Sequence, residues 1–263
     1  MCSIVGRSRE RAVNDMSQAE MAAEPKGRAA GYWKFWGTTL WGLASIGVLT
    51  GVHFGATKIW LDWSTILSAD ARHSLEPAVP FATIGLALAG ALALLALAVQ
   101  LSRISFYEYL GLAAPRWRHV LLGVVGFIAI SLVFALAETV AGQSQTSKEV
   151  IDLYHTARSS HQISALAFLA VLVAPLLEEL LFRGFLLPGW TASRLGPAGA
   201  IGLSSALWAL GHMQYDVFGM AHVFCLGVLL GWLRLHSGSI FTPMILHTLQ
   251  NAGTLAVLTT FNL

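Results

Sequence analysis

Charged residues are scarce in this sequence. Only 11% of its 263 residues are Asp, Glu, Lys or Arg, whereas 56% are hydrophobic. Soluble globular domains usually carry about 25% charged residues. The mean hydropathy of +0.65 points the same way. The composition therefore excludes an ordinary soluble domain and predicts a polytopic membrane protein whose main partner is the lipid bilayer.

Cysteine and basic residues are also few. Cys2 and Cys225 are the only cysteines, which is too few for a disulfide framework. The 16 Lys and Arg residues give a formal net charge of only +2, so they cannot line a track of nucleic-acid phosphates. The sequence predicts no nucleic-acid partner and indicates no particular oligomeric state.

Long apolar runs are present instead. Stretches of about 20 apolar residues are long enough to cross a bilayer as helices. Their number and spacing predict an all-α fold, a transmembrane helix bundle of about seven spans. The predicted spans are Phe35–Thr57, Pro80–Leu101, Val120–Val140, Ile163–Leu187, Gly199–Met213, Phe218–Leu233 and Ile240–Phe261.

The chain divides into three predicted regions. Residues 1–31 are charged and polar, cannot bury a core, and are predicted to be a disordered cytoplasmic tail. Residues 32–160 hold the first transmembrane helices, and residues 161–263 form a core that carries the polar motifs. Lys and Arg concentrate in the loops on the side of the amino terminus, which predicts that the amino terminus is cytoplasmic.

Two adjacent glutamates and an arginine end the uncharged run of the fourth span. A charge placed in a membrane is costly, so such residues indicate a functional site. Glu179 and Arg183 are four residues apart, share a helix face and are predicted to pair. Glu178 is rotated by about 100° on the same helix. It is predicted to face a cavity as the working carboxylate.

Three more polar residues are predicted to join this site. His212 ends the fifth span, and His247 and Asn251 lie four residues apart on the seventh. Helical rise places Glu178 at a depth of about 14 Å from the cytoplasmic turns, His247 at about 12 Å and Asn251 at about 18 Å. The same rise places His212 at a depth of about 22 Å. The helices can therefore bring these residues to one layer.

This set of residues can carry out hydrolysis in two ways. Glu178, His212 and His247 could hold zinc or another divalent metal that polarises a bound water. Alternatively, Glu178 acts as a general base without a metal, while His247 and Asn251 donate hydrogen bonds to the oxyanion. The sequence leaves both alternatives open.

Three motifs resemble those of the CAAX-protease and bacteriocin-processing (Abi) family of intramembrane endopeptidases, which includes the type II CAAX prenyl proteases. They are Glu-Glu-x-x-x-Arg at Glu178, Glu179 and Arg183, aromatic-x-x-x-His at Trp208 and His212, and His-x-x-x-Asn at His247 and Asn251. The family more often has phenylalanine at the position of Trp208.

The resemblance implies an α-helical membrane protease that cleaves peptides or membrane proteins, in a bacterial inner membrane. It implies that Glu178 activates water, that Glu179 and Arg183 support it, and that the two histidines and the asparagine complete the site. Both metal-dependent and metal-free mechanisms are attributed to the family. Two other functions remain open, a non-catalytic scaffold or bacteriocin-immunity protein and a proton-coupled transporter.

Overall fold

The structure is a computed structural model that describes residues 31–75, 79–142 and 148–261. In these ranges the chain forms ten helices and no strand, with one isolated bridge between Leu112 and Ser239. The predicted all-α bundle is confirmed. The helices are α1 Lys34–Ser64, α2 Ala69–Leu75, α3 Val79–Leu101, α4 Phe106–Leu110, α5 Trp117–Ala141, α6 Lys148–Ser159, α7 Ile163–Thr191, α8 Gly196–Leu210, α9 Val217–Ser237 and α10 Phe241–Phe261.

All seven predicted spans are helical, but five helices are long and apolar enough to cross a membrane: α1, α3, α5, α7 and α9. Of the other two, α8 has only 15 residues, because the chain turns after Leu210 and leaves His212 beyond the helix. Helix α10 has 21 residues but is made more polar by His247, Gln250 and Asn251. The predicted tail, residues 1–31, lies outside the described residues except for Gly31.

Short caps and turns fix how the helices meet. Ser105 accepts a hydrogen bond from the Glu108 N–H at the start of α4, and Gly111 ends α4 in the left-handed conformation at a φ of 68°. The Gly111 carbonyl then accepts a hydrogen bond of 2.8 Å from the Ile240 N–H. This contact docks α4 onto the connection between α9 and α10.

Two clusters of buried apolar residues form the core. The first joins α3, α4, α7 and α8 around Tyr109, Phe185 and Trp190. The second joins α5, α8, α9 and α10 around Trp208 and Leu226. Helices α7 and α8 contribute to the contacts of both clusters. The charged residues of α7 therefore sit where the two clusters meet, away from the ends of the bundle.

Candidate active site

Helix α7 carries the three charged motif residues and contains two π-helical turns, at Leu169–Val173 and Leu180–Leu186. Such turns are rare and often mark functional sites. In the first turn the Ala174 N–H donates to the Leu169 carbonyl, five residues back. The next bond of this pattern would need an N–H at Pro175, and proline has none. The Ala170 carbonyl is thus left without its partner within the helix.

Asn251 on α10 supplies the missing donor. Its Nδ2 atom donates to the Ala170 carbonyl at 2.7 Å. A backbone carbonyl away from water needs such a partner, since an unpaired one costs as much as a lost hydrogen bond. The contact fixes the amide of Asn251 beside α7. The predicted position of Asn251 near the glutamate helix is therefore observed.

Glu179 is the centre of a buried ionic network. Its side chain has no exposed surface, and its Oε1 accepts hydrogen bonds from Arg183 Nη1 at 2.9 Å and from His247 Nδ1 at 3.0 Å. Arg183 is also fully buried, and His247 is 3% exposed. The predicted pairing of Glu179 with Arg183 is confirmed. Because buried charges must be paired to be tolerated, this network defines how α7 and α10 pack.

A glycine on α9 completes the surroundings of Arg183. The Gly227 carbonyl lies 3.4 Å from Arg183 Nη2 and accepts its hydrogen bond. A Cβ at Gly227 would lie 2.9 Å from the Cβ of Ser205 on α8. The missing side chain therefore lets α9 approach α8 closely enough for its backbone to reach the guanidinium.

Glu178 has a different environment from its neighbour. It is half-buried, and its Oε2 accepts a hydrogen bond from the indole Nε1 of Trp208 on α8. The same indole ring lies 4.4 Å from the Arg183 guanidinium carbon, a cation–π contact. One carboxylate is thus neutralised and enclosed, while the other is held by a neutral donor. The spacing predicted that Arg183 pairs with Glu179 and not with Glu178, and this is observed; that Glu178 faces a cavity stays a prediction.

His212 lies in the turn after α8. Its Nδ1 is 2.8 Å from the Trp208 carbonyl, so this nitrogen carries the proton in the neutral ring and donates to that oxygen. The Tyr215 ring stacks on the imidazole at 5.9 Å between centroids. Burial and, to a smaller extent, the charge of Glu178 raise the pKa of the Tyr215 phenol. Tyr215 is therefore a neutral hydroxyl near the site.

The structure brings the predicted site residues together, but with different partners from those the sequence suggests. Among the described side chains, no hydrogen bond joins Glu178 to either histidine. Instead, the Trp208 ring lies edge-on to both imidazoles, at 5.3 Å from His212 and 5.2 Å from His247. Sequence reasoning missed Tyr215 and the indole donor. The only signals were a tyrosine three residues after His212 and tryptophan in place of the usual phenylalanine.

The predicted metal ligands do not form a metal centre in this arrangement. Within the described residues, no three His, Cys, Asp or Glu side chains are grouped as ligands of one ion. The hydrogen bonds of His212 to the Trp208 carbonyl and of His247 to Glu179 use only Nδ1 of each ring, as in many zinc-bound histidines. The spacing of the side chains is therefore what does not fit the predicted set of Glu178, His212 and His247.

Comparison with known proteins gives one match. Residues 160–253 match the family model described as type II CAAX prenyl endopeptidase Rce1-like. No curated protein and no solved structure matches the chain. The matched segment contains every predicted site residue, and the chain's apolar helices make it an integral membrane protein. The family resemblance carried by the three motifs is therefore confirmed over residues 160–253, which are similar to the Rce1-like type II CAAX prenyl endopeptidases.

Proposed function

We propose that this protein is an intramembrane endopeptidase in which Glu178 activates the water that attacks a peptide bond. Its substrates are membrane-associated peptides or proteins. The observation that carries the proposal is the contrast between the adjacent carboxylates. Glu179 is fully buried against Arg183 and His247, whereas Glu178 is half-buried with only one oxygen engaged by a neutral donor. Of the two carboxylates, only Glu178 has exposed surface through which water can reach it.

In the proposed reaction Glu178 takes a proton from water as the water oxygen bonds to the substrate carbonyl carbon. The carbonyl oxygen becomes an oxyanion. When the tetrahedral intermediate collapses, the carbon–nitrogen bond breaks and the protonated Glu178 returns the proton to the leaving amine. The products are a new carboxyl group and a new amino group, and Glu178 ends as it began.

Two residues of α10 are suited to stabilise the oxyanion. The amide nitrogen of Asn251 has two N–H groups, of which the bond to Ala170 uses one. His247 faces Glu179 through Nδ1, so its Nε2 lies on the opposite edge of the ring, where an N–H at that atom can donate to the oxyanion. Donors that are fixed before the reaction are the main source of such stabilisation.

His212 is suited to orient the water. Because its Nδ1–H is committed to the Trp208 carbonyl, the Nε2 of the neutral ring is an acceptor. It can receive one hydrogen of the water while Glu178 receives the other. Since the donor geometry does not fit a three-ligand metal centre, no step of this scheme passes through a metal.

The orientation of the protein in the membrane is also a proposal. Several segments meet at one end of the bundle. A Cβ at Gly31, before α1, would touch Ile104 in the connection from α3 to α4, and one at Gly111, after α4, would touch Arg234 near the end of α9. Arg103, Arg116 and Arg118 lie in or next to these connections. Concentrated basic residues favour a cytoplasmic location, so the amino terminus lies in the cytoplasm of a bacterial cell.

Replacing Asn251 by alanine is expected to lower the turnover number by about 10²–10³ with little change in KM, because one oxyanion donor is lost. The measurement is cleavage of a quenched fluorogenic library of membrane peptides by the purified full-length protein. Gln250→Ala is the matched control, since Gln250 is also a half-buried amide of α10. It should leave turnover unchanged.

The Asn251 result would count against the oxyanion role if turnover stayed at the wild-type value. Loss of turnover in both variants would also count against it, because a general effect on α10 would then be the cause. Thermal unfolding of each variant separates these effects from loss of the fold, since Asn251→Ala also leaves the Ala170 carbonyl without its donor.

A strong chelator is expected to leave cleavage by the wild-type protein unchanged. The reason is that, among the described residues, Glu178, His212 and His247 are not grouped closely enough to hold one ion. The same peptide assay is run after prolonged incubation with chelator and again after zinc is added back. Activity that disappears with the chelator and returns with zinc would overturn the metal-free scheme while leaving the protease proposal in place.

A further inference from the structure

Trp208 contacts more of the candidate site than any of the predicted catalytic residues. It is 2% exposed, and its indole N–H donates to Glu178. Its ring covers Arg183, its edge contacts the imidazoles, and its carbonyl accepts from His212. These contacts involve the indole N–H, the ring face and the backbone separately, so their roles can be separated by experiment.

The indole N–H has a role that no other part of the residue can supply. Indole is a donor only and has a single N–H, which is directed at Glu178 Oε2. The bond therefore fixes the rotation of the carboxylate and leaves Oε1 for the water. Without it the carboxyl group of a half-buried glutamate can rotate about its last torsion, which is broad and weakly restrained.

The ring face has a different role, which a plain aromatic ring can fill. It packs on the Arg183 guanidinium, and the ring as a whole lies nearly perpendicular to both imidazoles. A phenylalanine at this position, as the resembled family more often has, would keep part of that packing but would offer no donor. The N–H is thus an addition in this chain to the packing role of the motif aromatic.

We infer that the indole N–H of Trp208 is the positioning group that holds the Glu178 carboxylate in its water-activating orientation. The inference rests on the proposed function of Glu178. It does not depend on the ring's contact with Arg183. Trp208 acts through Glu178 and does not itself touch the reacting atoms.

The test replaces the indole nitrogen without changing the ring shape. Incorporating 3-benzothienylalanine at position 208 puts sulfur in place of the N–H and keeps both rings. We expect the turnover number to fall about ten- to a hundredfold, with KM unchanged, because a hydrogen bond to a charged group is lost. Trp208→Phe should likewise lower the turnover number and leave KM unchanged.

Trp190 offers a matched control. It lies on α7, is 1% exposed, and its indole N–H donates to Thr39 at 3.0 Å, away from the candidate site. The same sulfur analogue at position 190 should leave turnover unchanged. An equal loss of turnover at both positions would overturn the inference, and so would wild-type turnover with the analogue at position 208 or a loss that appears only in KM.

A second measurement keeps this inference separate from the proposed function. The indole N–H resonance of Trp208 in ¹⁵N-labelled protein should move upfield in Glu178→Gln, because the acceptor loses its charge. If wild type cleaves no peptide but the resonance moves, the contact stands and the protease proposal fails. An unchanged resonance would overturn the positioning role whatever the cleavage result.

Discussion

Glu178→Gln is expected to abolish peptide cleavage while the helix bundle stays folded. Glutamine has nearly the same shape and can still accept the indole hydrogen bond of Trp208, but its amide cannot take a proton from water. A positioned general base contributes about 10²–10⁴ to the rate, so residual activity should fall near the detection limit. The measurement is single-turnover and steady-state cleavage of the best library peptide, with the unfolding midpoint as a test of the fold.

Glu138→Gln is the control for this substitution. Glu138 is a second buried glutamate of the bundle, on α5 and 8% exposed, and it is not part of the motifs. Its substitution should leave cleavage intact. If Glu178→Gln cleaved as fast as wild type, Glu178 would have no role as base. If wild type itself cleaved no peptide and Glu178→Gln kept the cellular phenotype, a scaffold or immunity protein would be the better description.

Arg183→Met is expected to destabilise the protein by about 3–5 kcal/mol, because breaking a buried ion pair leaves an uncompensated buried charge. Both partners have no exposed surface, and their atoms are 2.9 Å apart. Methionine fills much of the volume, so the loss reflects mainly Glu179, which loses its permanent positive partner and keeps only the hydrogen bond from His247. The measurement is denaturant unfolding of the purified protein in mixed micelles, followed by tryptophan fluorescence.

A double substitution separates charge from packing. Arg183→Met combined with Glu179→Gln removes both charges and should recover part of the lost stability, since apolar or neutral replacements of a whole buried pair are often tolerated. Arg194→Met, at an exposed arginine beyond α7, should have no effect. Equal stability of the single and double variants would show that packing of Arg183 on Trp208 dominates. Wild-type stability of Arg183→Met would show that the ion pair contributes nothing.

The sequence predicted what depends on spacing along one helix. The scarcity of charge and the apolar runs predicted the helical bundle, and the four-residue spacing predicted the pair of Glu179 with Arg183. The same rule placed His247 and Asn251 on one face of α10, where both now contact α7. Local geometry of this kind needs no knowledge of neighbouring helices.

Contacts between helices could not be predicted in the same way. Whether His247 meets Glu178 or Glu179 depends on how far each helix is rotated about its axis. The π turn at Leu180–Leu186 changes that rotation along α7, and no sequence rule located it. The predicted fifth span was displaced for another reason: α8 begins at Gly196 and ends at Leu210, three residues before the predicted bounds. Gly211 to Tyr215 form turns that hold His212 beside Trp208.

The N–H that Pro175 lacks also sets the register between α7 and α10. The Ala170 carbonyl has no donor within α7, so its donor must come from a residue of α10 at the same level along the helix axis. Asn251 is at that level and donates to it. Sliding α10 by one turn would leave the Ala170 oxygen unpaired and would separate His247 from Glu179 as well. The two contacts are four residues apart on α10, so a shift of α10 that breaks one of them also breaks the other. Pro175 in the middle of α7 thus fixes the position of α10 along α7, with His247 and Asn251 at the level of the two glutamates.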